Sequence, residues 1–384
     1  MSKRIKAILL CLSLSLLFHT AVFPANAQNA SSPSVSAQSA VLIEAESGAV
    51  IWEKQKDLRL PMASTTKIMT ALVALSLASP DTVIATDAKA VGVEGSSIYL
   101  FEGEELTLEQ LLYALLLESA NDAAAAIAIG LSGSIEAFAD QMNQTARVLG
   151  LKDTHFTNPH GLDHEEHYTT AHDLALITRA LLRDHLLRTI VSTRKTTIPH
   201  EGAGGVRLLI NHNKLLRMYD GCIGVKTGFT KRSGRCLVSA AERDGLTLIA
   251  VTLSAPDDWA DHTNLLDYGF DSYRSVPLCL ENEILYPLPL VGGKEAYVML
   301  GNPDALTAFL PKNHSEIQTV IECRRFEFAP VPTEELLGRV LFLSDINGDS
   351  VPEPIGSVDL VALYTVEKYP VKQGFWQWLI GLFS

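Results

Sequence analysis

The chain has 384 residues, a formal charge of −13 and five cysteines. Its acidity argues against a nucleic-acid partner, which would call for basic patches. The length is too great for one typical domain and predicts two, and so few cysteines in so long a chain do not make a disulfide scaffold.

Lys3, Arg4 and Lys6 form a basic start, Ala7 to Phe23 is mostly apolar, and Ala25-Asn26-Ala27 fits a small-x-small cleavage site. We read residues 1–27 as a signal peptide, since the apolar run is short for a membrane span of about 20 residues. Its loss would leave 357 residues and a charge of −16, because it holds three basic and no acidic side chains. Residues 28–40, rich in Ser, Ala and Asn, read as a flexible N-terminal segment.

Val41-Leu42-Ile43-Glu44 and Ala49-Val50-Ile51-Trp52 read as two strands around the turn Glu46-Ser47-Gly48. Pro61 precedes a helix from Ser64 that is apolar nearly all round, hence buried. Glu104 to Ile129 reads as helices, with a capping box at Thr107-Leu108-Glu109-Gln110 and a break at Ser119-Ala120-Asn121. Further helices are expected over Ile135–Leu149 and Ala171–Leu187, with a loop over His155–Tyr168 between them. Leu208–Ile210, Gly224–Thr227, Arg235–Ser239 and Leu246–Val251 read as strands, and Thr263–Tyr273 as a closing helix. One sheet holding both terminal groups of strands, covered by helices, would bury them economically. After about Arg274 the chain turns to short alternating strands and prolines, which predicts a β-rich domain over 276–370. Residues 371–384 carry Phe375, Trp376, Trp378, Leu379, Ile380, Leu382 and Phe383. As a helix they would form a broad apolar face suited to an interfacial membrane anchor; the alternative is a helix docked on the protein's own core.

Three short motifs carry chemistry. Ser64-Thr65-Thr66-Lys67 places a hydroxyl and an amine three residues apart, on one face of a helix. Ser64 is the candidate nucleophile, its own N–H offered to an oxyanion, and Lys67 the candidate base. At an ordinary pKa of about 10.4 Lys67 would be protonated; burial and repulsion from Lys226 would lower it. Ser119 is a candidate proton relay, and Asn121 would orient Lys67 or a substrate carbonyl. Lys226-Thr227-Gly228 reads as an edge-strand platform, with Lys226 and Thr227 binding a carboxylate, Gly228 allowing close approach, and the N–H of Phe229 as second oxyanion donor. Ser192-Thr193-Arg194-Lys195 repeats the first pattern, so that pattern alone proves little. His155, His160, His164, His167 and His172 raise a metal reading, but their spacing matches no strong ligand pattern, and a polar loop at the active-site rim is the plainer expectation. Cys222 and Cys236 flank the third motif and suggest either a disulfide across a hairpin or two core thiols.

Ser-x-x-Lys, a Ser-Asp-Asn element and Lys-Thr-Gly are the signature of penicillin-binding proteins and class A β-lactamases; all three occur here in that order, with Ala120 in place of the aspartate. With Phe156–Asp163, Tyr168–Ala175, Asn211–Leu216 and Gly234–Ala241 beside them, the chain resembles the D-alanyl-D-alanine carboxypeptidases, low-molecular-mass penicillin-binding proteins of the serine-peptidase type. The resemblance implies an α/β (α+β) fold: a β-lactamase/transpeptidase-like domain over 41–275, its antiparallel sheet covered by helices, then the smaller β-domain. It implies removal of the terminal D-alanine from peptidoglycan stem peptides through an acyl-enzyme on Ser64, with β-lactams as acylating inhibitors. No metal or organic cofactor is implied, and the expected location is the outer face of the cytoplasmic membrane, held peripherally by 371–384. β-Lactamase or D,D-endopeptidase activity on the same fold are the alternatives. Some members carry histidine after Lys-Thr-Gly where this chain has Phe229, so no side-chain role transfers there.

Overall fold

The computed structural model describes residues 32–200 and 204–370. The expected signal peptide and anchor helix lie outside these residues. The chain divides into two compact units between Ser272 and Tyr273.

The first unit is built on an antiparallel sheet of five strands in the order β2-β1-β9-β8-β7. Its strands are β1 (Ser39–Glu44), β2 (Val50–Lys54), β7 (Cys222–Thr230), β8 (Gly234–Arg243) and β9 (Leu246–Leu253). The two chain ends of the unit thus share one sheet, as their apolar runs predict. β1 is buried along its whole length, because it pairs with β2 on one side and β9 on the other. Val41 and Ile43 point into the main helical core. On the opposite face a methyl group built on Gly269 would meet Leu248 Cδ1 at 2.5 Å and Leu42 Cδ2 at 3.0 Å, so a helix lies close there too. β7 pairs only with β8 and forms the sheet's edge.

The helices are α1 (Lys67–Leu77), α2 (Leu108–Leu117), α3 (Asn121–Ser132), α4 (Ile135–Val148), α5 (Ala171–Arg183), α6 (His185–Ser192), α7 (Leu215–Met218) and α8 (Asp258–Ser272). The expected capping box opens α2, Thr107 and Gln110 each receiving the other's backbone N–H. The Ala-rich α3 is buried from Asn121 to Ala128, and Gly133 in the left-handed region ends it. Small strands fill in the periphery: β3 (Val83–Ala85) with β4 (Glu105–Thr107), and β5 (Lys195–His200) with β6 (Gly205–Ile210). Among the described residues no single helix is long and apolar enough to cross a membrane.

Several expectations are corrected. The segment read as flexible is pinned at its end: the N–H groups of Ser36 and Ala37 donate to the Asp261 carboxylate at 2.7 and 2.9 Å, and Ala37 is buried. Ser39 and Ala40 already belong to β1. The helix expected over 171–187 breaks at Asp184, which caps α6 by accepting from Leu187 N–H. The stretch before α2 includes the short strand β4.

The second unit holds a six-stranded sheet in the order β14-β16-β17-β12-β11-β15 and the pair β10-β13. These strands are β10 (Tyr273–Cys279), β11 (Leu285–Val291), β12 (Tyr297–Gly301), β13 (Leu306–Pro311), β14 (Gln318–Cys323), β15 (Glu327–Phe328), β16 (Leu336–Ser344) and β17 (Glu353–Ala362). Leu288, Leu300, Val340, Phe342 and Leu360 form its core.

Candidate active site

The site lies where α1, the α2–α3 junction and the β7 edge meet. Ser64 stands in a single 3-10 turn, Ala63–Thr66, that leads into α1. Lys67, the first residue of α1, is fully buried, and its Nζ lies 3.0 Å from Ser64 Oγ. The same nitrogen donates to Asn121 Oδ1 at 2.6 Å and to the His160 carbonyl at 2.5 Å. Asn121 Nδ2 donates to Glu94 O at 2.5 Å, which fixes the amide with its oxygen toward Lys67. Burial first, and repulsion from Lys226 second, hold the Lys67 amine well below its usual pKa, with Asp122 opposing.

The β7 edge closes the other side. A methyl group built on Gly228 would fall 3.0 Å from Ser64 N and 3.1 Å from Met62 O, so a side chain here would press on the backbone that carries the nucleophile. Lys226 is 1% exposed and donates to Thr227 O at 3.0 Å. Burial pushes its pKa down to about 7, with Glu118 opposing. Thr227 is half-buried, and Phe229 is exposed. Ser119 sits buried between α2 and α3 at φ +61°. Its hydroxyl makes no hydrogen bond to Lys67, whose three polar contacts are Ser64, Asn121 and the His160 carbonyl.

Three supports were not foreseen from sequence. His167, expected at a polar rim, is buried. Its Nδ1 accepts from Thr157 N–H at 3.0 Å, so Nε2 carries the proton and donates to Thr66 Oγ1 at 2.8 Å. Thr66 in turn donates to Ala63 O at 2.8 Å, bracing the turn that carries Ser64. Burial lowers the pKa of His167 and of His160 to about 3, so both rings are neutral. Gly161 packs so tightly on Ala63 that a methyl group there would lie 2.0 Å from Ala63 O. Asp122 accepts from Ser97 Oγ at 2.6 Å and from the N–H groups of Ile98 and Leu100 at 3.2 and 3.0 Å, pinning the loop beside Asn121.

The remaining sequence candidates fall elsewhere. Ser192 ends α6 and donates to Arg188 O and Ile223 O, while Lys195 opens β5 on the surface. The register places Cys222 opposite Ala241 and Cys236 opposite Gly228, and both thiols are free, so the hairpin disulfide is not formed. Burial raises both thiols to about 11. Among the described residues no three His, Cys, Asp or Glu side chains gather as metal ligands.

A buried lysine against a serine hydroxyl, faced by a glycine-bearing sheet edge, defines a serine hydrolase on a penicillin-binding-protein scaffold. The profile described as D-alanyl-D-alanine carboxypeptidase, of the S11 peptidases, matches residues 26–257, and the chain belongs to this family. It is 32% identical over 319 residues to D-alanyl-D-alanine carboxypeptidase DacF of Bacillus subtilis, covering 80% of this chain and 82% of that one. It is 30% identical to DacC of Escherichia coli, covering 88% and 86%. The crystal structure of penicillin binding protein 5 from Haemophilus influenzae superposes with a TM-score of 0.72 at 26% identity, covering 88% of this chain and all of that one.

Proposed function

We propose that the chain is a serine D-Ala-D-Ala carboxypeptidase that trims the terminal D-alanine from peptidoglycan stem peptides, with Ser64, Lys67, Ser119, Asn121, Lys226, Thr227, Gly228 and Phe229 as its working residues. The observation that carries the reading is the set of contacts to Lys67 Nζ. A neutral amine has two N–H bonds and one lone pair. Asn121 Oδ1 and His160 O are carbonyl oxygens that only accept, so they take both hydrogens. The lone pair is then left for the Ser64 hydroxyl at 3.0 Å. This arrangement suits a general base with a lowered pKa.

Lys226 and Thr227 hold the substrate's terminal carboxylate along β7. Ser64 Oγ attacks the penultimate D-alanine carbonyl carbon while its proton passes to Lys67. The oxyanion is met by the N–H groups of Ser64 and Phe229; one such donor is worth about 2.7–4 kcal/mol. The C–N bond breaks as the departing D-alanine nitrogen takes the proton from Lys67, with Ser119 as relay. Water then loses a proton to Lys67, attacks the ester, and Ser64 regains its hydrogen. β-Lactams enter the same path and stop at the acyl-enzyme.

The reaction belongs outside the cytoplasm. The finer reading is export by residues 1–27 and peripheral attachment by 371–384, with 41–275 as the catalytic domain and 276–370 as the β-domain. The deciding experiment is incubation of the protein with a bis-acetylated tripeptide ending in D-Ala-D-Ala, beside Ser64→Ala. Release of D-alanine by the parent alone is expected; equal release by both removes Ser64 from the reaction.

A further inference from the structure

The second unit leaves an aromatic cluster uncovered, and it lies where the chain departs toward residue 371. Phe326 and Phe328 are 48% and 61% exposed, yet their rings pack edge to face with centroids 5.5 Å apart. Phe328 pairs in parallel register with Val291, itself 46% exposed. Tyr369 N–H donates to Gly292 O at 2.9 Å, next to Val291, and the Tyr369 side chain is 62% exposed. Two strand ends thus bring Phe326, Phe328 and Val291 together, and the backbone of Tyr369 passes beside them. A lone exposed apolar side chain is ordinary on a protein surface, whereas contiguous exposed apolar patches are where interaction sites are found.

We propose that this cluster is a membrane-contact surface fitted to the interfacial layer of an anionic phospholipid bilayer. Two observations favour a bilayer over a protein partner. The fourteen residues that follow Pro370 begin within two residues of Tyr369 and include Phe375, Trp376 and Trp378, an aromatic composition suited to a membrane interface and tethered beside this cluster. The charges at the cluster are also of the helpful sign. Arg324 is paired with Glu327, and the segments 292–296, 324–328 and 366–370 that frame the cluster carry Lys294, Arg324, Arg325 and Lys368 beside Glu295, Glu327 and Glu367. The balance is one positive charge, in a chain of net charge −13. Aromatic rings flanked by basic side chains are the pattern of membrane–water interfaces. The surface is separate from the catalytic reading and does not rest on it.

The test is sedimentation of the full chain with vesicles of phosphatidylglycerol and phosphatidylcholine, and with phosphatidylcholine alone. Phe326→Ser with Phe328→Ser should lower partitioning about tenfold on both, each ring contributing half of a fully buried side chain. Arg325→Gln should lower it about fivefold on the mixed vesicles and leave phosphatidylcholine binding unchanged. Benzylpenicillin acylation and the melting temperature should stay at parent values, which separates loss of the surface from loss of the fold. Parent-like partitioning of the double variant overturns the proposal, since 371–384 would then account for attachment alone. Tighter binding by the double variant also overturns it, because the cluster would then have been a dock for 371–384. So does a parent dimer that dissociates on substitution, which would assign the surface to a second copy.

Discussion

Gly161→Ala tests the bracing of the nucleophile without touching a reacting group. Gly161 has φ +86°, and the added methyl would lie 2.0 Å from Ala63 O and 2.5 Å from Ala63 C. A carbon–oxygen contact relaxes to about 3.3 Å, so the Ala63 carbonyl and the Asn158–Leu162 loop must part by about 1.3 Å. Both carry the site: Ala63 precedes Ser64, and the loop supplies the His160 carbonyl to Lys67. A displacement of 1 Å costs about 100-fold in rate. The left-handed backbone adds about 1–2 kcal/mol of strain and the overpacking about 1–3 kcal/mol. A loss of about 2–5 kcal/mol lowers the melting temperature of a unit this size by about 10 °C and leaves it folded. Gly150→Ala is the control, with φ +74° and nothing within 4 Å of the added methyl. It should pay the backbone strain alone and acylate at the parent rate. The assay is the second-order rate of acylation by a fluorescent penicillin, with thermal melting alongside. Acylation of Gly161→Ala within twofold of the parent would refute the argument, as would equal impairment of Gly150→Ala.

Ser64→Ala should abolish the covalent label seen by intact-mass analysis after benzylpenicillin, while melting stays within about 1 kcal/mol of the parent; a label at full occupancy contradicts the assigned nucleophile. Lys226, with a pKa of about 7, carries its charge below that pH and loses it above, so kcat/KM for a carboxylate-ended substrate should fall as pH rises through about 7. That limb should vanish in Lys226→Arg, which stays charged; an unchanged limb assigns it to another group. His160, His167 and His262 have pKa values of about 3 against 6.5 when unfolded. The unfolded chain therefore binds protons that the folded chain refuses between these values, and melting temperature should drop as pH falls from 6.5 toward 3. His262 is held between the hydroxyls of Ser239 and Thr252, away from the nucleophile, and His262→Gln should flatten that slope measurably. Arg207→Ala should cost about 3–5 kcal/mol in chemical denaturation, because it strands the buried Glu104 carboxylate that Arg207 now grips with both terminal nitrogens at 2.5 and 2.9 Å.

What the sequence made legible was side-chain chemistry at short spacing. Ser64 and Lys67 are three apart, so one turn of helix brings them together without knowledge of the fold. Lys226-Thr227-Gly228 lies in an apolar alternating run, and the glycine marks a close approach whose partner, the Ser64 turn, only the fold supplies. The Thr107 capping box was legible because both halves sit within four residues. The unforeseen parts are of another kind. The His160 contribution is a backbone carbonyl, which any residue type offers and no motif marks. His167 looked solvated because its neighbours His164, Glu165 and Glu166 are polar, but an edge-to-face contact with Phe156 at 5.8 Å and the Thr66 hydroxyl bury it. Strand β5 was missed because Lys195, Thr196 and Thr197 read as polar; it is a half-exposed hairpin arm whose one buried apolar residue is Ile198. Signals did exist for two of the misses. Asp184 ahead of a leucine-rich run is an N-cap, and Asp122 in the first turn of α3 is an acceptor placed for nearby backbone donors.

Three of the nine non-glycine residues with positive φ among the described residues border the site. Ala63 at φ +48°, Tyr99 at +60° and Ser119 at +61° all occupy the left-handed region without being glycine. Each costs about 1–3 kcal/mol, and each adjoins a residue of the site: Ala63 precedes Ser64, Ser119 precedes the Ala120–Asn121 helix start, and Tyr99 lies in the loop that Asn121 holds through Ser96 O at 2.7 Å. Such conformations persist only where the surroundings overdetermine them. Ala63 is held by Thr66 and His167, and the Tyr99 loop by Asp122 from one side and Arg207 from the other, through Ile98 O at 2.8 Å and Tyr99 O at 3.2 Å. The buried Arg207–Glu104 pair and the neutral His167 therefore act at a distance on the same geometry: they fix the backbone from which the Ser64 hydroxyl, the Lys67 amine and the Asn121 amide converge.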